Sequence, residues 1–290
     1  MQDAIEKAKI LMQALPYIKE YRGRKVLIKF GGKAMHDEQI EQSIANDLVM
    51  MRYVGIHPVV VHGGGPEISQ YMKEQGLEPK FIDGLRVTDE ATMKIVKKVL
   101  VGQINKEIVE NMNKHGELAV GISGDDSGLI EARKKEHVTT DLGYVGSVAE
   151  IKTAVVEEII KSGRIPVIAS IGKGADGHSY NINADSVASA LAAALKCEKI
   201  IYLTNVDGIY NDFDDEHSLI SALTYQECDD LVSQKAVKRG MLPKVLSCMR
   251  ALEKGVHRAH ILNGTVQHAL LLEVFTDEGI GTMIQHGLEK

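Results

Sequence analysis

At 290 residues, with 44% hydrophobic and 26% charged side chains, the chain has the makeup of a globular protein large enough for one big domain or two lobes. A formal net charge of −6 argues against nucleic acid or a membrane surface as the main partner. No apolar run is long enough to cross a bilayer, and Asp3 and Glu6 stand where a secretion signal would be basic, so the expected compartment is the cytoplasm.

Residues 4–19 put Ile5, Ala8, Leu11, Met12, Leu15 and Ile18 on one helical stripe, which Pro16 kinks or ends. A helix ahead of the first strand has no crossover to make. Its stripe covers the chain's own body or meets a neighbouring chain. Next come Lys25-Val26-Leu27-Ile28-Lys29-Phe30-Gly31-Gly32-Lys33 and Pro58-Val59-Val60-Val61-His62-Gly63-Gly64-Gly65-Pro66. Each is a short β-branched run that ends in consecutive glycines ahead of a helical pattern. Each therefore sets bare backbone N–H groups at a helix N-terminus beyond a buried strand, which makes an anion cradle. Glycines after a strand often serve only a tight turn. Two such turns in tandem, with Lys29 inside an apolar strand, point instead to a crevice that holds a polyphosphate, because a buried lysine is costly without an anionic partner. An esterase oxyanion loop is excluded, since no Gly-x-Ser-x-Gly turn occurs in the chain.

Asp37–Val54 reads as a helix, 66–75 as another, and 79–89 as a hairpin around Asp83-Gly84 that leads into a long helix from about residue 90 to 114. Arg86 in that hairpin is either solvent-facing or a bidentate carboxylate clamp beside the crevice. Short strands are expected at 118–123 and 128–132, a helix at 151–162 and a buried strand at 164–171. Gly172-Lys173-Gly174-Ala175-Asp176-Gly177 matches a dinucleotide fingerprint formally. It is discounted because no helix starts on its last glycine. Asn183-Ala184-Asp185 opens an alanine-rich helix to about Leu195, followed by a strand at 199–204, helices at 224–234 and 242–253, a strand at 260–263 and a closing segment at 267–284. Alternating strands and helices imply an α/β fold, three-layer αβα, with a mostly parallel open central sheet and two lobes. The expected division is 1–20 as an N-terminal helix, 21–178 as the substrate lobe and 179–290 as the nucleotide lobe.

Neither the Walker pattern nor the protein-kinase set is present. Asn181 and Asp185, four apart, share one direction if the helix starts early, and Lys244 after Pro243 supplies a second cation. The three cysteines, Cys197, Cys228 and Cys248, match no zinc spacing and are expected to be reduced bystanders, and the histidines show no ligand pattern, so no structural metal is expected.

Lys-Phe-Gly-Gly-Lys-Ala-Met at 29–35, Val-His-Gly-Gly-Gly-Pro at 61–66, Gly-Leu-Arg-Val-Thr-Asp at 84–89, Tyr-Asn-Ile-Asn-Ala-Asp at 180–185, Leu-Thr-Asn-Val-Asp-Gly-Ile at 203–209 and Gly-Met-Leu-Pro-Lys-Val at 240–245 together resemble the N-acetylglutamate kinase branch of the amino-acid kinase family. The likeness runs from about residue 9 to 284, and the motifs at 84–89 and 180–185 are its more specific parts. It implies ATP-dependent phosphorylation of the side-chain carboxylate of N-acetyl-L-glutamate, in arginine biosynthesis, with Mg²⁺ accompanying the nucleotide. In that light Lys29, Lys244, Gly32 and Gly64 offset charge on the transferred group, and Asp185 holds the two lysines. Gly64, Gly65, Arg86 and Asn181 bind the amino-acid substrate, while Gly31, Lys29, Thr204, Asp207, Gly208, Tyr210 and Lys244 bind the nucleotide. Lys33, Arg239 and Thr265 depart from the residues common in such proteins.

Relatives with an N-terminal helix of this kind are hexamers, trimers of dimers, inhibited by arginine. By that resemblance Glu273 and the backbone at Gly279 are expected to contact the inhibitor. The rival readings are another amino-acid kinase, acting on an aminoadipate derivative, glutamate or carbamate, and a non-catalytic binder of arginine or nucleotide.

Overall fold

Lys25–Phe30 is apolar enough to bury both its faces, and it forms a strand near the middle of an eight-stranded sheet. Across the sheet the order is Ala222–Thr224, Thr282–Gln285, Arg258–Asn263, Lys199–Thr204, Lys25–Phe30, His57–His62, Ile165–Ala169 and Ala119–Ser123. Thr282–Gln285 runs antiparallel to Arg258–Asn263, and every other neighbouring pair is parallel. The strands from Arg258–Asn263 to Ala119–Ser123 therefore open their carboxyl ends along one edge, where ligands of such sheets bind. The computed structural model describes residues 1–31, 37–212, 215–237, 240–276 and 279–287. Gly32, Lys33 and Arg239 lie outside the described residues.

Helices close both faces, as a three-layer fold requires. Ile44 and Leu48 of Glu38–Tyr53, Ile68 of Gly65–Glu74 and Val96 of Glu90–Val99 pack on one face. Val187 and Leu191 of Ala184–Ala194 and Val245 and Cys248 of Leu242–Glu253 pack on the other. A second, four-stranded sheet of Ile130–Lys134, Val145–Ile151, Ile171–Gly174 and Ser179–Ile182 closes on itself.

Several expectations need correction. The N-terminal segment is two helices, Gln2–Gln13 and Leu15–Tyr21, with Pro16 in the first turn of the second, where its missing N–H costs nothing. Ile5, Leu11 and Met12 are exposed, so this chain's own body does not cover the front of the apolar stripe. The long helix from residue 90 is interrupted by a π-turn, Leu100–Asn105, before continuing as Lys106–Asn113. Val145–Ile151 is a strand where none was expected, and the helix after it begins only at Ala154. Asn181 sits on the strand Ser179–Ile182, not on an early helical turn, so its approach to Asp185 comes from the strand-to-helix junction and not from helical spacing. The glycine-rich 172–177 segment turns back as a hairpin, with Ser179 opposite Lys173.

Candidate active site

Lys29 lies one residue from the end of the central strand, and its Nζ stands 3.0 Å from Asp185 Oδ1. Lys244, in the first turn of Leu242–Glu253, brings its Nζ to 3.9 Å from the other oxygen of the same carboxylate. Asp185 belongs to the first turn of Ala184–Ala194, where a negative charge suits the helix N-terminus. Burial raises the proton affinity of Asp185, but the charges of Lys29 and Lys244 outweigh it and hold the carboxyl below its ordinary range. One ionised carboxylate thus pins two ammonium groups side by side, a spacing that mutual repulsion would otherwise oppose.

These groups line a cavity of about 330 Å³ at the carboxyl edge of the sheet, together with Gly31, Gly64, Gly65, Arg86 and Asn181. Gly64 caps the helix Gly65–Glu74, so the second glycine turn is a helix N-terminus facing the cavity, as its sequence implies. A methyl group on Gly64 would stand 2.3 Å from Ile104 Cδ1 and 2.6 Å from Leu100 Cδ2, which is why no side chain fits there. Arg86 is buried. Its Nη2 donates to the Gly65 carbonyl and to Ser69 Oγ, both at 2.7 Å, and its guanidinium lies 4.7 Å from the centre of the Phe81 ring. The hairpin arginine therefore does not face solvent; it braces the glycine turn while lining the cavity. Asn181 Nδ2 donates to Thr88 Oγ1 at 3.3 Å, which ties its amide to the same hairpin. Among the charged side chains that line the cavity, Lys29, Lys244 and Arg86 are positive and Asp185 is negative, so the space favours an anion.

Thr204, Asp207, Gly208 and Tyr210 lie elsewhere, at and beyond the end of the strand Lys199–Thr204, and do not line this cavity. There Asp207 accepts from Tyr210 Oη at 2.7 Å and from Asn263 Nδ2 at 2.8 Å. Thr265, beside them, donates to Asn263 Oδ1. Glu273 and Gly279 meet in a second cavity of about 340 Å³, lined also by Tyr17, Tyr21, Lys199 and His260. Glu273 Oε1 lies 2.6 Å from His260 Nδ1 and 3.7 Å from Lys199 Nζ. Burial raises the Glu273 carboxyl, but His260 and Lys199 outweigh it and hold the group below its ordinary range.

Residues that the sequence reading passed over also shape the first cavity. Phe81, Leu100 and Ser170 line it, and His62 and Asn105 stand behind its glycine turn. His62 closing an otherwise apolar buried strand was the one available signal.

Comparison with known proteins follows the same lines. Residues 24–263 match the family model described as the amino acid kinase family. The acetylglutamate kinase of Symbiobacterium thermophilum is 50% identical over 289 residues, covering 98% of this chain and 99% of that one. The acetylglutamate kinase of Caldanaerobacter subterraneus subsp. tengcongensis is 51% identical over 282 residues, covering 97% and 94%. Among solved structures, N-acetylglutamate synthase from Neisseria gonorrhoeae complexed with coenzyme A and N-acetyl-glutamate superposes with a TM-score of 0.86 at 27% identity. The match covers 97% of this chain and 64% of the synthase, so this chain spans less than two thirds of that longer protein. The same synthase complexed with coenzyme A and L-arginine superposes with a TM-score of 0.82. With half its residues shared from end to end with such enzymes, and a lysine-carboxylate-lysine cluster facing a glycine turn at the open edge of its sheet, the chain belongs to the amino acid kinase family.

Proposed function

We propose that the chain is an acetylglutamate kinase, which transfers the γ-phosphoryl group of ATP to the side-chain carboxylate of N-acetyl-L-glutamate in arginine biosynthesis. The observation that carries this reading is the pair of lysines held on Asp185 within one cavity with Gly64, Gly65, Arg86 and Asn181. A glutamate side chain of ordinary pKa about 4.3 is ionised at neutral pH, so the nucleophile needs no general base. The obstacle is repulsion between the attacking carboxylate and the phosphates. Lys29 and Lys244 offset that charge as it spreads over the transferred group, together with the backbone N–H of Gly64 and with Gly32. Asp185 acts by fixing the lysines and carries no proton in the step.

Arg86 binds the α-carboxylate of the substrate, and Asn181 hydrogen-bonds the bound amino acid. Thr204, Asp207, Gly208 and Tyr210 serve the nucleotide from the lobe beyond residue 178. Mg²⁺ accompanying ATP would lower the charge of the phosphates. Among the described residues no group of three His, Cys, Asp or Glu side chains is gathered at one point. The direct test is to trap the acyl phosphate with hydroxylamine after mixing protein, ATP-Mg and N-acetylglutamate. Faster turnover on an aminoadipate derivative, glutamate or carbamate would replace the substrate assignment.

Arginine is the proposed feedback inhibitor, bound in the cavity of Glu273 and Gly279. In support, that cavity lies between the second N-terminal helix and the C-terminal segment, offers a buried carboxylate to a guanidinium, and the Neisseria synthase was solved with L-arginine. The exposed Ile5, Leu11 and Met12 support a homohexamer joined through the first helix. No helix among the described residues is long and apolar enough to cross a membrane, and the cytoplasm is the proposed compartment.

A further inference from the structure

We infer that His62, fixed in one tautomer by Asn105, is a positioning residue that aims the Gly64 N–H into the cavity. The inference deepens the kinase reading and rests on it. His62 ends its strand fully buried and sits opposite Phe30 in register, on the sheet face away from Lys29. Asn105 closes the π-turn Leu100–Asn105, and its Nδ2 reaches the Val167 carbonyl oxygen at 2.9 Å and His62 Nε2 at 3.0 Å. A carbonyl oxygen can only accept, so the nitrogen side of the Asn105 amide faces it, and the second amide hydrogen is directed at Nε2. Nε2 must then accept. The single ring proton resides on Nδ1, which donates to the Gly63 carbonyl at 3.0 Å.

The consequence follows from peptide geometry. The bond between Gly63 and Gly64 is trans, so its carbonyl and N–H point opposite ways. Holding the Gly63 oxygen on His62 turns the Gly64 N–H away from His62, toward the cavity that Lys29 and Asp185 line. Three consecutive glycines would otherwise leave this peptide free to rotate. The π-turn supplies the backing as well as the lock. Its wider spacing lets Leu100, Ile104 and Asn105 all face inward, and the first two fill the space beside Gly64. Burial pushes the His62 imidazole down to about 4, the Gly63 bond raising it and the charge of Lys29 lowering it further. The ring is therefore neutral at neutral pH.

Two substitutions separate positioning from packing. His62→Asn places an amide donor where Nδ1 stands, whereas His62→Gln places one where Nε2 stands and cannot reach Gly63. With both substrates saturating, the Asn variant is expected to keep kcat within about fivefold of the parent. The Gln variant should fall about 100-fold while KM for either substrate moves less than about threefold. Equal kcat in the two variants, or a loss confined to KM, overturns the inference. An inactive parent in the same assay would instead refute the kinase reading. Should either variant fail to fold by circular dichroism, a crystal structure of the wild-type protein with a non-hydrolysable ATP analogue decides. The Gly63 carbonyl on His62, with the Gly64 N–H on a phosphoryl oxygen, upholds the lock; a flipped Gly63–Gly64 peptide overturns it.

Discussion

Lys29 and Lys244 reach one carboxylate from two elements far apart in sequence, and that convergence makes their removal informative. Loss of a preorganised charge that acts on the transferred group costs about 10² to 10³ in rate. Lys29→Ala is expected to lower kcat by at least that much while far-ultraviolet circular dichroism stays unchanged; activity close to wild type would remove Lys29 from the chemistry. Asp185 permits a separate test through acidity. Its folded proton affinity lies below that of an unfolded aspartate, so the ion pairs stabilise the fold above the ordinary pKa of about 3.9. That contribution is lost as pH falls through the lower, folded value. In urea melts, wild type should be more stable than Asp185→Asn near neutrality, and the gap should narrow below about pH 4. A gap that does not change with pH would mean the carboxylate is not the titrating partner. Lys29 was legible in the sequence because an ammonium inside a run of valine, leucine and isoleucine demands a counter-charge. Asn181 was legible by type, but its geometric argument failed because it assumed a helix where the chain is still extended.

The glycine turn and the π-turn behind it work as one packed unit. Gly64, at φ 172°, lies outside the left-handed region, and it is the space held by Leu100 and Ile104 that excludes a side chain. Gly64→Ala is therefore expected to destabilise the protein by about 1–3 kcal/mol, the usual cost of overpacking, and to lower kcat. Adding Ile104→Val, which removes the nearer methyl, should recover part of both, as read by melting temperature and kcat. No recovery would place the strain elsewhere. This coupling was hidden from sequence: residues 90–114 carry an ordinary helical pattern, and nothing in their spacing announces the extra residue of a π-turn. The strand Val145–Ile151 escaped for a related reason. Gly146, Ser147 and Ala149 blur its alternation, and it is held by partners on three separate segments, Ile130–Lys134 and Ser179–Ile182 by hydrogen bonds and Ala184–Ala194 by packing. Four strands of the main sheet, Lys25–Phe30, His57–His62, Ile165–Ala169 and Lys199–Thr204, were by contrast plain from their apolar runs, whereas the short strands Ala222–Thr224 and Thr282–Gln285 at its edge were not foreseen as strands.

At the scale of the whole molecule, the core on one face of the main sheet leaves all three cysteines out of reach. Burial pushes the Cys197 thiol to about 12 and Cys228 to about 11, and raises Cys248 as well. A thiol reagent at about pH 8 is expected to leave the native protein unlabelled and to modify all three only in denaturant; rapid labelling of any one would show that its core opens. At the other extreme, the bare apolar face of the first helix should be dispensable to the single fold. Leu11→Glu with Met12→Glu is expected to preserve the melting temperature of the folded subunit while lowering the sedimenting mass. An unchanged mass would move the proposed subunit contact elsewhere.

The central strand also sets a timetable for synthesis. Lys25–Phe30 hydrogen-bonds to His57–His62 on one side and to Lys199–Thr204 on the other, with Val26 opposite Lys199. On the ribosome, at about 5–20 residues per second, the nascent strand waits roughly ten to thirty seconds before that second neighbour emerges. Through that interval it presents an unpaired edge, so a chain released before residue 199 is a candidate for chaperone capture or aggregation.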